Sequence, residues 1–215
     1  MHLKKRLIKI IHFNKITLII IISIILLFTL AASASEDPNW SDLREKSYKK
    51  IEQAPNNIQA NYDYLISLVN LGEIKSAYNT IDKFEDNFDE KKFAKKITPY
   101  FQELVKCPKN ILILNYTAFY GVVVKDYELS IKYFDRILDL TPENYNIRNF
   151  LAASYIELEK YDLALREANR ALVTKDNEFS HLLLGVIYYE NGNFLKAISE
   201  FSKSGSLGRE ILNNN

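Results

Sequence analysis

Residues 145–204 read YNIRNFLAASYIELEKYDLALREANRALVTKDNEFSHLLLGVIYYENGNFLKAISEFSKS, and this stretch holds one helix-pair pattern twice. Setting Tyr155 on Tyr188 also sets Leu151 on Leu184, Ala152 on Gly185, Tyr161 on Phe194 and Ala164 on Ala197, every pair 33 residues apart. A step of 34 back from Ala152, Tyr161 and Ala164 reaches Ala118, Tyr127 and Ser130, so a third unit precedes these two. A fixed period of this length predicts stacked helical hairpins, an architecture that holds partners on a preformed surface. The small residues Ala152, Ala164 and Ala171 let two helices approach closely, while Leu151, Tyr155 and Tyr161 fill the space beside those contacts.

The order of small and large positions resembles the tetratricopeptide repeat, a helix-turn-helix unit of about 34 residues. The unit at 178–211 supplies Leu184, Gly185, Tyr188, Ala197 and Phe201. The unit at 145–177 supplies Leu151, Ala152, Tyr155, Ala164 and Ala171, with Ala168 where a large aromatic is usual. The unit at 111–144 keeps Ala118, Ser130, Phe134 and Pro142 but has Gly121 in place of the tyrosine. The resemblance implies an all-α fold, a right-handed α-solenoid of helix-turn-helix repeats, here preceded by one hydrophobic N-terminal helix.

Upstream the pattern is irregular. Leu71, Gly72, Ile74, Ala77 and Ile81 read as the turn and second helix of a degenerate unit, and residues 89–107 read as an inserted helix, the two together occupying 58–110. Ala54-Pro55-Asn56-Asn57 is a helix stop followed by a fresh start, so 36–57 is expected to be a lone leading helix.

At the N-terminus, residues 16–30 are almost purely aliphatic and follow Lys4, Lys5, Arg6, Lys9 and Lys15, a pattern that marks residues 1–35 as an export signal. Two outcomes stay open: cleavage at the small residues Ala32 and Ala34, or retention of 16–34 as a membrane anchor just long enough to span a bilayer of about 30 Å. In both, the basic end stays cytoplasmic and the rest is translocated, to remain membrane-anchored or become periplasmic or extracellular.

The chain has 28 Lys and Arg against 27 Asp and Glu; five of the basic residues precede Ser35, so the remainder carries 23 against 27, a net charge of −4. Such a balance argues against a nucleic-acid surface. Cys107 is the lone cysteine, read as a small apolar residue at a helix end, and His181 is the sole histidine after the signal, read as a ring filling a packing slot. No glycine-rich phosphate loop is present, and acidic neighbours such as Glu157 and Glu159 fit solvated faces. The reading is a non-enzyme with no cofactor and no metal.

The resemblance implies that the concave face is lined by the second, fifth, ninth and twelfth positions of each first helix. Those positions include Leu112, Asn115, Phe119 and Val122, then Asn146, Asn149, Ala153 and Ile156, then Phe179, Leu182, Val186 and Tyr189. A mostly apolar groove suits an apolar partner helix or an extended segment, with Asn115 and Asn149 as polar anchors for a bound backbone. The end of the chain offers a second surface. After Gly205 too few residues remain for a full capping helix, so Ile198, Phe201, Leu207, Ile211 and Leu212 are expected to be partly exposed, open to a homo-oligomeric contact.

Overall fold

Asparagine and aspartate set the helix starts. The side chains of Asn39, Asn57, Asp89, Asn110, Asp126, Asn144, Asn177 and Asn193 each accept from a backbone N–H in the first turn of the helix that follows, satisfying donors that would otherwise be left without partners. In the computed structural model, which describes residues 37–86 and 89–213, these caps open most of eleven helices and no strand is present among the described residues. They are α1 (Trp40–Gln53), α2 (Ile58–Leu71), α3 (Ile74–Asp86), α4 (Glu90–Lys106), α5 (Ile111–Val123), α6 (Tyr127–Leu140), α7 (Tyr145–Glu157), α8 (Tyr161–Thr174), α9 (Glu178–Glu190), α10 (Phe194–Lys203) and α11 (Gly205–Asn213). The expected signal or anchor at 1–35, with Ala32 and Ala34, lies outside the described residues. Among the described residues no helix is long and apolar enough to cross a membrane.

Four turns share one geometry. In each, a backbone N–H reaches back five residues, from Glu73 to Leu68, Asp126 to Gly121, Lys160 to Tyr155 and Asn193 to Tyr188. The residue before each of these donors is left-handed: Gly72 at φ 76°, Lys125 at 60°, Glu159 at 56° and Gly192 at 71°. The pairs α2–α3, α5–α6, α7–α8 and α9–α10 are therefore closed by the same turn. Between hairpins, 54–57, 107–110 and 141–144 all read X-Pro-x-Asn, proline stopping one helix and asparagine capping the next.

The helices stack as an all-α solenoid of helix-turn-helix pairs. Gly185 shows why position 185 is small: a Cβ there would collide with the Phe201 ring. Ala152, Ala164, Ala168, Ala171 and Ala197 are fully buried, as are Leu151, Leu184 and Ser130. Ala118 is buried with Phe119 and Phe134, whose rings meet edge-on at 5.1 Å.

The irregular half departs from simple stacking. The helix at 40–53 is not alone, because α1 packs on α2 as extensively as the regular hairpins pack internally. α4 lies against both α2 and α5: Phe93 meets Tyr62 of α2 edge-on at 4.9 Å and stacks on Tyr120 of α5 at 5.4 Å, and Tyr100 stacks on Tyr116 of α5 at 4.4 Å. Meanwhile α2 reaches across to touch both α5 and α7. Cys107 ends α4 exposed to solvent rather than packed as an apolar residue, since the Cys-Pro step stops the helix and turns its end outward. Leu207 is buried, not exposed, because α11 folds back onto α9.

Candidate functional site

The expected concave groove divides into positions that are spent inside the fold and positions that remain accessible. Asn115 and Asn149 are fully buried, which corrects their reading as anchors for a partner. Asn115 donates to the Ile111 carbonyl at 2.9 Å and accepts from Asn70 Nδ2 at 2.8 Å. Asn149 donates to Asn177 Oδ1 at 3.1 Å and accepts from the Ser180 hydroxyl at 2.7 Å. Both are interhelical struts. Phe119 and Leu182 are likewise core residues. Leu112, Val122, Ala153, Ile156 and Val186 are half-buried, and Tyr189 is exposed. The physical reason is the neighbouring element in each case: α2 stands in front of Asn115 through Asn70, and the start of α9 stands in front of Asn149 through Asn177 and Ser180.

The open space lies instead along the rim where linkers meet first-helix starts. One cleft of about 480 Å³ runs between the α2–α3 turn (Gly72, Glu73, Lys75), the 175–179 linker (Lys175, Asn177, Glu178) and α11 (Ser206), floored by Ile74, Phe179 and Leu207. A second, of about 570 Å³, runs from Asp37 and Trp40 past Asn70 and Leu71 to the 141–144 linker. Tyr145 and Asn146 line both. The Tyr145 hydroxyl accepts from Lys175 Nζ at 3.0 Å, and the same ammonium sits 5.0 Å from the Tyr145 ring centre. Asn146 Nδ2 donates to the Asn70 carbonyl at 3.4 Å. Gly72 makes this approach possible: it is left-handed, and a Cβ there would sit 3.2 Å from the Asn146 amide. Asn70 gives its amide protons to Ile66 O and Asn115 Oδ1, leaving its own Oδ1 buried without a hydrogen-bond partner.

Elsewhere, polar side chains brace the frame. Glu167 is buried on α8 among Arg148 at 2.8 Å, Arg166 at 3.0 Å and Arg170 at 3.1 Å. His181 bridges Glu200 at 2.6 Å and Asp176 at 2.8 Å. Burial pulls the Glu200 carboxyl up, but the contacts with Lys203 and His181 outweigh it and hold it below the ordinary carboxylate range. Asp63 accepts from the Tyr116 hydroxyl and from Gln59, both at 2.7 Å; its burial outweighs these bonds and raises its carboxyl above the ordinary value. Among the described residues no group of three or more His, Cys, Asp or Glu is placed to hold a metal ion.

Sequence reasoning named Asn146 and Phe179 as groove positions but missed the rim cleft. The signal was there in the repeated X-Pro-x-Asn linkers, which fix where first helices begin and hence where the rim lies. No protein-family model and no curated protein matches the chain. Among solved structures it is similar to MamA AMB-1, at 20% identity over 71% of this chain and 92% of that one, with a TM-score of 0.48. It is also similar to the APC/C hetero-tetramer Cut9-Hcn1, at 19% identity over 78% of this chain and 29% of that one, TM-score 0.47. A thermophilic TPR protein of Thermus thermophilus is 12% identical over 84% of this chain and 85% of that one, TM-score 0.47. The likeness is one of fold, and the hairpins, turns and linkers described above carry the assignment of this chain to helix-turn-helix solenoid architecture.

Proposed function

We propose that the chain is a non-catalytic protein-binding scaffold that takes an extended polypeptide segment along the rim cleft centred on Tyr145 and Asn146. The observation that carries this reading is the shared lining of the two clefts, which makes one path from Trp40 to Leu207. Each cleft lies within the range of about 300–1,000 Å³ usual for ligand sites. The path alternates apolar floor (Ile74, Phe179, Leu207) with amide and charged groups (Asn146, Asn177, Lys175, Glu178), the combination that an extended backbone with alternating side chains requires. A helix fits less well, because the buried Asn115, Phe119 and Leu182 leave the concave side without the continuous apolar stripe that a helix would need. The test is a photo-crosslinking residue at Ser206, and separately at Ile156, in the full-length protein in its native cells. An adduct with another polypeptide at Ser206 supports the cleft; an adduct at Ile156 alone overturns it in favour of the concave groove.

The scaffold is placed on the translocated side of a membrane, exported by residues 1–35 and either released or tethered through 16–34. The support is the basic lead and aliphatic run of the sequence. Protease added to the outer side of intact membranes should degrade the scaffold; full protection overturns this placement.

A further inference from the structure

The last hairpin differs from its predecessors on one face. Aligning α6, α8 and α10 at Tyr127, Tyr161 and Phe194 sets Glu128 and Asp162 against Leu195, Lys132 and Arg166 against Ser199, and Asp135 and Asn169 against Ser202. Three positions that are charged or polar in the earlier units are thus leucine and two serines in the last. Within the same face, Ile131 and Leu165 belong to hydrophobic clusters that also contain side chains of the following hairpin. Their counterpart Ile198 is 66% exposed, with Leu195 at 84%, Phe194 at 57% and Tyr189 at 55%.

The chain's own α11 does not cover this face. Only Ser204 separates α10 from α11, against four-residue linkers at 107–110 and 141–144, and the left-handed Gly205 (φ 59°) sends the helix back over α9. The turn is suited to glycine, because the left-handed backbone at position 205 is one that L side chains rarely adopt. α11 buries Leu207 and leaves Leu195 and Ile198 bare.

We propose that the α10 face built by Leu195, Ile198, Ser199 and Ser202, with Phe194 and Tyr189 at its edge, is a two-fold dimer interface that pairs with the same face of a second copy. The argument for a second copy rests on charge and area. A face without charged groups can meet itself without burying an unpaired ion, whereas the equivalent faces of α6 and α8 could not. The two serines allow close helix approach beside the Leu195–Ile198 ridge. The patch amounts to about 500 Å², at the upper end of what a monomer shows, and a two-fold pair would bury about 1,000 Å², where specific interfaces begin. Head-to-tail stacking is unfavourable, because the outer side of α1 at the other end carries the exposed ion pairs Lys46–Asp42 and Lys49–Glu45.

The surface is separate from the rim cleft, and its test does not depend on that reading. Sedimentation of the full-length protein in a mild detergent, at protein concentrations of tens of micromolar, should show a dimer. The triple variant Leu195→Asp, Ser199→Arg, Ser202→Asn transplants the α8 face onto α10 and should weaken association by about a hundredfold or more, with circular dichroism and thermal midpoint unchanged. In a Cys107→Ser background, Ile198→Cys should form a disulfide-linked homodimer under oxidation in the native cells, and Lys49→Cys should not. A monomeric native protein overturns the proposal. So does a dimer that survives the triple variant, which would place self-association elsewhere in the chain, or a foreign protein crosslinked at Ile198→Cys in place of a second copy.

Discussion

The front of the solenoid is held by large interlocking rings, the back by small residues that let helices touch. In front, Tyr62, Phe93, Tyr100, Phe101, Tyr116 and Tyr120 bind α2, α4 and α5 together through ring contacts, with Asp63 buried among them. Behind, α7, α8 and α9 meet over Ala152, Ala164, Ala168 and Leu184. The difference teaches how each half is specified. Small residues at fixed spacing work identically in every copy, whereas rings that interlock across non-equivalent helices form a single solution found once.

The largest effect is expected from Phe93→Ala, which removes a fully buried ring shared by α2 and α5 and should cost about 3–5 kcal/mol. Urea unfolding monitored by tyrosine fluorescence measures it; a loss below about 1 kcal/mol would show that the front is not held by its rings. Next comes Glu167→Gln, which leaves the half-buried Arg148 without its carboxylate and should cost about 3 kcal/mol by the same assay. Gly185→Ala pushes a methyl into the Phe201 ring and should cost about 1–3 kcal/mol, while Gly192→Ala, with nothing near its Cβ, should cost less and only through its left-handed backbone. Equal losses at both glycines would break the claim that the back depends on close approach.

The smallest effect sharpens the comparison most. Asp63 is held above its ordinary pKa of 3.8 by burial, so the folded state binds its proton more readily than the unfolded state. Its contribution is most favourable below the unfolded pKa and is lost as pH rises through the raised folded value. Asp63→Asn should therefore raise the thermal midpoint slightly at neutral pH, with the gain vanishing near about pH 3. A gain that persists in acid would mean that packing, not ionisation, sets the balance.

The regular hairpins were legible because their constraint repeats: Ala152, Gly185, Ala164 and Ala197 sit where Cβ atoms crowd, and every unit faces the same crowding. The seats of α2 and α4 were not legible, since nothing periodic records that Phe93 will lie between Tyr62 and Tyr120. The groove positions failed for the same reason at Asn115 and Asn149, where offset within a helix predicts direction but not what another element places in front of it. At the chain's end, counting residues after Gly205 anticipated an open edge with Ile198 exposed on it, but not that α11 would fold back and cover Leu207.

The exposed Cys107 has a practical consequence. A chain with one thiol, standing in solvent beside a proline-stopped helix end, carries a built-in labelling site. A membrane-impermeant maleimide applied to whole cells, then to opened ones, reads the sidedness of the scaffold without any engineered reporter. The same single dye, attached to every copy at one point, turns the mutual approach of two copies into an energy-transfer distance.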